Sequence, residues 1–346
     1  MSVLPRVRLA PGYTISCLLK GGWQLAGGHG AIDPADAFAD MDRFVDAGIT
    51  TFDCADIYTG VESLIGGWLK RRSASGANLV EVHTKYVPDL DQLPTHSRAD
   101  VTRGIERSLT RLGVDSLDLA QLHWWDFDVP GYVEAAAWLD DMRRAGKVRH
   151  LGLTNFDQPR LREIIAAGIP IVSHQVQYSV LDRRPAEGMA RLCADHGIAL
   201  LCYGALAGGF LSERYLGCAD PIPPLENRSL VKYRLIIDEF GGWDRFQNLL
   251  AGLNALAVRH GVGIGAVAIR WVLDQAGVSG VIVGARHARH LDHAVQAATL
   301  RLDETDHDEI RRLQAESSGP AGDVYELERV KDGPHAAVMR YSLNRT

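Results

Sequence analysis
Residues 33–58 read DPADAFADMDRFVDAGITTFDCADIY. Asp33 ahead of Pro34 is an N-cap followed by the residue best tolerated in a first helical turn, and Gly48 supplies a stop. The segment between them reads as a helix over Pro34–Gly48. A β-branched and aromatic run, Ile49–Asp53, follows at once. It ends on a carboxylate and leads into a loop carrying Tyr58. A helix handing directly to an apolar strand with polar residues at its far end is one unit of a layered α/β protein.

The same alternation extends in both directions. Strands are expected at Cys17–Trp23, Ile49–Asp53, Asn78–Thr84, Leu117–Leu122, Val148–Leu153, Ile171–Val176, Ala199–Tyr203 and Gly280–Val283. Further helices are expected at Ser97–Leu112, Val133–Gly146, Pro159–Gly168 and Pro185–His196. Strands this apolar, separated by helices, indicate a buried parallel sheet. Eight of them favour a closed (β/α)₈ barrel of the TIM type, where five or six would favour an open, doubly wound sheet. The first strand ends Gly21-Gly22-Trp23-Gln24, without the GxGxxG turn that an open dinucleotide-binding sheet carries there. No repeat of 20–50 residues is present.

Two segments stand outside the alternation. Residues 204–243 form a long connection after the seventh strand, rich in Gly, Pro and charge, and a connection of that length is usually functional or disordered. The tail, residues 318–346, is charged but carries Val324, Tyr325, Val338, Met339 and Tyr341, so it is expected to pack on the barrel. The whole chain, 1–346, reads as a single domain with its core at about 18–315, since barrels of this kind run this long as one domain.

Composition excludes several classes. Hydrophobic residues make up 46% and charged residues 23%, ordinary for a globular protein of 346 residues. The net charge of −6 calls for no nucleic-acid partner, and Arg103, Arg107, Arg111, Arg143 and Arg144 are spaced as on solvated helix faces. No apolar stretch approaches the roughly 20 residues of a membrane span, and the first residues, MSVLPRVRLAPGY, lack a signal-peptide core. The five cysteines are scattered without a CxxC pair, which fits a reducing cytoplasm and neither a zinc site nor a disulfide scaffold. Oligomeric state is not legible.

In a barrel of this kind the active site forms at the C-terminal ends of the strands. There the sequence places Asp53 with Tyr58 beyond it, Lys85 (VEVHTKY), His123 (LDLAQLHWW), Thr154-Asn155, Gln175 and Tyr203. A phenol is a poor acid at neutral pH. A nearby ammonium favours the phenolate, a carboxylate holds the ammonium, and a histidine beside the phenol orients a carbonyl oxygen. That set suits protonation of an oxygen while hydride arrives at carbon.

The segments FDCADIY, HTKY, LDLAQLHWW and GKVRHLGLTNF, in this order, resemble the aldo-keto reductase family, and the resemblance runs from about Lys20 to Thr299. It implies an NADP(H)-dependent carbonyl reductase or alcohol dehydrogenase with a catalytic tetrad of Asp53, Tyr58, Lys85 and His123. Gly22, Trp23 and Asp53 match the family's nicotinamide end. Thr154, Asn155 and Gln175 match its carboxamide-binding residues, and Tyr203 matches the aromatic that stacks on the ring. Gly204, Ala205, Leu206 and Gly208, then Ser212 and Arg214, match the pyrophosphate loop. Gly284, Arg286, His290 and His293 match the adenosine and 2′-phosphate end. The resemblance implies NADP(H) as preferred cofactor, with NAD(H) as the alternative. Two departures are visible. His293-Ala294 stands where the family has Glu-Asn, and Cys54 stands where many relatives have Thr.

Other residues have plainer readings. Cys54 and Cys202 read as small core residues, and the run Glu326–Asp332 reads as a solvated face. Trp124 and Trp125 are either rim packing or, with Trp23, walls for a moderately apolar or ring-bearing carbonyl or alcohol. His287, His290 and His293 lack a carboxylate ligand pattern, so no metal is expected. Two other functions compete with the oxidoreductase. A nucleotide-sensing regulatory subunit on the same barrel would tolerate loss of His123. A metal-dependent hydrolase would leave Tyr58 and Lys85 idle.

Overall fold
The computed structural model describes residues 4–27, 30–76, 80–284, 286–317, 319–341 and 343–344, and the side chain of His290 lies outside that description. Among the described residues, an antiparallel hairpin of β1 (Arg6–Ala10) and β2 (Tyr13–Ser16) precedes eight parallel strands. These are β3 (Leu18–Gly21), β4 (Thr51–Asp53), β5 (Glu81–Tyr86), β6 (Leu117–Leu122), β7 (Val148–Thr154), β8 (Ile171–Gln177), β9 (Ala199–Tyr203) and β10 (Val278–Gly284). They pair in chain order, and β10 closes on β3 with Val281 opposite Leu18. The fold is the (β/α)₈ TIM barrel that the alternation implied.

Helices cover the outside: α1 (Pro34–Asp46), α2 (Val61–Ala74), α3 (Arg98–Leu112), α4 (Tyr132–Arg144), α5 (Gln158–Ala166) and α6 (Met189–Asp195). They continue with α7 (Arg228–Phe240), α8 (Trp243–His260), α9 (Ile264–Leu273), α10 (Leu291–Thr299) and α11 (Glu304–Ala315). Two short turns of helix, α12 (Glu326–Arg329) and α13 (Pro334–Ala337), lie in the tail. In α1, Asp33 caps as read from the sequence, its Oδ1 accepting from the Ala35 and Asp36 amides at 2.7 and 3.2 Å. Ala37, Met41 and Phe44 turn inward. No single described helix is long and apolar enough to cross a membrane.

Several expectations are corrected. The third barrel strand starts at Glu81 and reaches Tyr86, while positions 78 and 79 of the expected Asn78–Thr84 lie outside the described residues. The helix expected over Pro185–His196 is a 3₁₀ turn at Arg184–Ala186 followed by α6. The connection at 204–243 is not wholly irregular, because α7 occupies its second half. There Leu230, Tyr233, Ile236, Ile237 and Phe240 form one buried stripe at helical spacing, and the Asn227 side chain caps the Leu230 amide. The hairpin was not anticipated. Its Leu9, Ala10, Tyr13 and Ile15 pack against Leu19, Leu119, Leu201 and Ile282 and plug one end of the barrel. The Tyr13 hydroxyl lies 2.8 Å from His83 Nε2.

The run Glu326–Asp332 is a solvated face only at Glu326 and Val330–Asp332. Glu328 is 2% exposed, and Arg329 folds in over the barrel mouth, where it meets backbone carbonyls. Arg107 and Arg111 also turn inward, to the buried carboxylates of Asp56 and Glu62. A buried charge is stable only when paired or hydrogen-bonded, and the partners here come from distant parts of the chain.

Helices α2 and α3 touch backbone to backbone at Gly66, where an added Cβ would run into the Arg111 carbonyl oxygen and lie 2.9 Å from Leu112 Cα. In an open helix Gly→Ala would stabilise by about 1 kcal/mol. Here the overlap wins, and Gly66→Ala should destabilise by about 1–3 kcal/mol. Urea unfolding of the two proteins measures this, and a variant as stable as the wild type would mean that the helices separate at no cost.

Candidate active site
Strands β4 and β5 end side by side, with Asp53 opposite His83, and place Asp53 and Lys85 at the same mouth. Lys85 Nζ donates to Asp53 Oδ2 at 2.6 Å and to the Cys54 carbonyl at 3.0 Å. Asp53 Oδ1 accepts from Gln175 Nε2 at 2.7 Å and Gln121 Nε2 at 3.3 Å. Asp53 and Lys85 are 3% and 6% exposed. Burial works against the Lys85 ammonium, but Asp53 and Tyr58 outweigh it and hold its pKa above that of an ordinary lysine.

Tyr58 sits half-buried over this pair. Its ring centre is 5.2 Å from Lys85 Nζ, and the ring meets Trp23 edge-on at 5.2 Å. Burial raises the phenol's pKa, and the Lys85 ammonium is the largest influence opposing that rise. The loop carrying Tyr58 is anchored to β5. Asp56 N donates to the Lys85 carbonyl at 3.1 Å, the Asp56 carboxylate accepts from the Val87 amide, and Arg111 Nη1 donates to the Asp56 carbonyl at 3.0 Å.

His123 follows β6, is 3% exposed, and has a pKa pushed down to about 3, first by burial and then by Arg329. It is therefore neutral at physiological pH. Its Nδ1 lies 3.3 Å from the Thr154 carbonyl. A carbonyl only accepts, so Nδ1 carries the proton and Nε2 presents a lone pair. That buried Nε2 has no protein partner among the described residues. In this tautomer Nε2 offers an acceptor at the mouth.

The residues matched to a nicotinamide cofactor gather along the mouths of β3 and β7–β10. Gly22 donates its amide to the Asp53 carbonyl at 2.7 Å, and a Cβ there would lie 3.0 Å from both that oxygen and Val61 Cγ1. A Cβ there would press on both atoms. Asn155 has a left-handed backbone (φ 63°), and its Oδ1 accepts from the Tyr203 hydroxyl at 2.8 Å. Gln175 is turned to Asp53, as described above. After Tyr203, Gly204 and Gly208 take positive φ and bracket a turn containing buried Ala205 and half-buried Leu206. Ser212 Oγ donates to the Gly209 carbonyl at 2.7 Å. Arg214 is exposed and bonded to Glu226 at 2.7 Å, away from the turn.

At the far end, Gly284 closes β10, and an added Cβ would run into Gln24 Nε2. Arg286 donates to the Ala31 carbonyl at 2.6 Å, joining the loops after β3 and β10. His293 is exposed next to Gly263, and Ala294 beside it is buried. The match at His290 concerns a side chain outside the described residues. An aromatic at the strand end and a guanidinium ahead of α10, along a row of strand mouths, fit an extended dinucleotide.

The tryptophans divide. Trp124 is fully buried, with Nε1 donating to the Val129 carbonyl at 2.9 Å, so it is rim packing and not a substrate wall. Trp125 packs edge-on against His123 at 4.3 Å. Trp23 Nε1 donates to Ser229 Oγ of α7 at 3.2 Å. Cys54 and Cys202 are buried thiols whose pKa burial raises, as core residues.

Sequence reading missed Gln121, although the inward alternation of Leu119 and Gln121 in β6 with His123 just after it could have shown it. It also missed the lid. Tyr325 of the tail lies edge-on to His123 at 5.5 Å. Lys232 of α7 pairs with Glu328 at 3.1 Å and lies over the Tyr203 ring. No local pattern marks these residues.

A closed eight-stranded barrel with a Lys–Asp pair, a tyrosine and a neutral histidine at its C-terminal mouth defines a class of barrel oxidoreductases. The sequence profile of the Aldo/keto reductase family matches residues 18–315, and the chain belongs to that family. It is 30% identical over 302 residues to aldo-keto reductase str7 of Strobilurus tenacellus, covering 85% of this chain and 86% of that protein. It is 31% identical over 258 residues to flagellar radial spoke protein 5 of Chlamydomonas reinhardtii, covering 64% of this chain and 49% of that longer protein. It is also similar to an NADH-specific methylglyoxal reductase of Escherichia coli, 26% identical over 329 residues, covering 87% of this chain and 95% of that one. Among solved structures, the glycerol dehydrogenase AKR11B4 of Gluconobacter oxydans shares the fold, with a TM-score of 0.78 at 23% identity over 92% of this chain and 97% of that one. Membership carries with it nicotinamide-dependent oxidoreduction of carbonyl compounds.

Asp53→Asn should remove the anion that compensates a buried ammonium and destabilise by about 3–5 kcal/mol. In a double-mutant cycle, Asp53→Asn with Lys85→Met should cost clearly less than the sum of the two single changes. Additive losses by urea unfolding would show that the two groups do not support each other.

Proposed function
We propose that the chain interconverts a carbonyl and an alcohol with Tyr58 as general acid and base, NADP(H) as preferred cofactor, and a moderately apolar or ring-bearing substrate between Trp23 and Trp125. The observation that carries this reading is the buried Lys85–Asp53 pair beneath the Tyr58 phenol, with His123 at the same mouth. When bound, the nicotinamide supplies the hydride in reduction and accepts it in oxidation. Gly22 and Trp23 would border its ring and Tyr203 would offer an aromatic face. Thr154, Asn155 and Gln175 would take its carboxamide. The turn from Gly204 to Gly208, with Ser212, would follow the pyrophosphate.

Tyr58 holds the proton over the substrate oxygen. Lys85 favours the phenolate left after that proton moves, and Asp53 keeps Lys85 charged. His123, neutral and held through Nδ1, would flank the substrate oxygen beside the phenol, leaving the alcohol's one hydroxyl proton to Tyr58.

The test is a panel of aldehydes, ketones and sugars, followed by NADPH absorbance. Tyr58→Phe should lower turnover by about 10²–10⁴-fold while leaving NADPH affinity unchanged. A variant that keeps most of its kcat, with chemistry limiting, removes Tyr58 from the proton transfer. Because the phenol is raised above its ordinary value, it stays protonated through neutral pH. Reduction should therefore hold level through neutral pH and fall only in alkali, while oxidation, which needs the phenolate, should rise with pH. Lys85→Met should displace both limbs to higher pH, and unmoved profiles would remove Lys85 from the mechanism.

Cofactor choice rests on Arg286. A guanidinium fork matches a phosphate carrying about two charges, and Arg286 precedes the helix end of α10, where backbone donors favour anions. Arg286→Ala should weaken NADPH binding about 10–150-fold and barely touch NADH. Dissociation constants of both nucleotides decide this, since equal losses would mean that Arg286 does not read the 2′-phosphate.

A further inference from the structure
We propose that Arg329, from the C-terminal tail, is a positioning residue for the reaction, tying the loop after β6 to the loop after β7 so that His123 is held between them. The proposal rests on the role given above to His123. Arg329 Nε donates to the Trp125 carbonyl at 3.2 Å. Its Nη2 donates to the Trp124 carbonyl at 2.9 Å and to the Asn155 carbonyl at 2.8 Å. Trp124 and Trp125 immediately follow His123. Asn155 immediately follows Thr154, whose carbonyl takes the His123 Nδ1 proton. The guanidinium therefore joins the two strand ends that hold the imidazole. Its plane is itself fixed, with its centre 4.0 Å from the Phe127 ring and 5.0 Å from the Tyr325 ring.

The geometry uses the guanidinium fork, because one side chain reaches three carbonyls on two loops. An ammonium presents its donors from a single point. These acceptors are neutral carbonyls and not carboxylates, so the positive charge is not neutralised by the groups it binds. It faces His123 together with Lys85 of β5 and Lys232 of α7. Tyr325 of the tail and Trp125 each meet the ring edge-on. Burial and then Arg329 are the leading causes that keep His123 uncharged, the state in which Nε2 accepts a hydrogen bond. A residue that only fastened the tail would leave the rate of hydride transfer untouched.

The experiment uses the full chain with ¹⁵N-histidine, the His123 signal being assigned by its loss in His123→Gln, and follows imidazole protonation in wild type, Arg329→Met and Arg329→Lys. Single-turnover hydride transfer with saturating NADPH is measured on the best carbonyl of the panel. In Arg329→Met the His123 midpoint should rise by about one pH unit. Hydride transfer should slow about tenfold or more through misplacement of the ring, with NADPH affinity unchanged. Arg329→Lys keeps the charge without the fork, so His123 titration should return toward wild type while the rate stays depressed. Unchanged titration and rate in Arg329→Met overturn the proposal. If that variant does not fold, a wild-type rate in Arg329→Lys overturns it. If the wild type turns over no carbonyl and yet Arg329→Met moves His123, the reading of the reaction fails while the Arg329–His123 coupling stands.

Discussion
An ammonium and a carboxylate held 2.6 Å apart, both almost wholly out of water, are the constraint on which the rest of this mouth depends. Taking either charge out of water alone is costly. The pair persists because two amide side chains and a backbone carbonyl complete its hydrogen bonds: Gln175 and Gln121 on Asp53, and Cys54 on Lys85. Those partners come from β6, β8 and the end of β4. The pair therefore exists only once the barrel is closed. Tyr58 lies over the pair, so the electrostatics of its phenol follow from barrel closure as directly as its position does.

The two sides of the mouth are built differently. On the Tyr58 side, buried acids do the anchoring: Asp56 and Glu62 are met by Arg107 and Arg111 from α3, which fastens the loop to its neighbouring helix. On the His123 side the anchor is a cation from the tail, and its acceptors are backbone carbonyls. Both arrangements satisfy the same requirement that a buried polar group have a partner. They differ in the group that is buried, a carboxyl at Asp56 whose pKa burial and Glu62 raise, or a guanidinium at Arg329. A cation near an imidazole favours its neutral form, and an ammonium near a phenol favours the phenolate.

The lid adds a second buried charge cluster. Glu328 lies between Lys232 of α7 and Arg184, and Arg184 is itself bonded to Asp182. Lys232 in turn lies over Tyr203 and Tyr325. The long connection after β9 and the tail thus meet above the barrel. These two segments are joined to each other by charges that would be unstable in that setting singly.

The barrel was legible in the sequence because it depends on local pattern, and the polar strand ends at Asp53, Lys85 and His123 marked its mouth. Apolar strands of β-branched residues, helices with caps such as Asp33, and polar residues at strand ends declare themselves within a few residues. The amphipathic stripe of α7 was equally local but was hidden by the Gly- and Pro-rich segment before it. What only the tertiary structure decided was direction and partnership. Trp124 faces the rim core while Trp125 faces His123. His123 carries its proton on Nδ1 because the Thr154 carbonyl is there to accept it. The segment Glu326–Asp332 looks like a solvated charged run, yet Glu328 and Arg329 are folded in. A charge belongs in water unless a partner waits for it. These partners lie far away in the sequence, at Lys232 and Arg184 and at the carbonyls after β6 and β7, so no window of sequence contains both halves of the interaction.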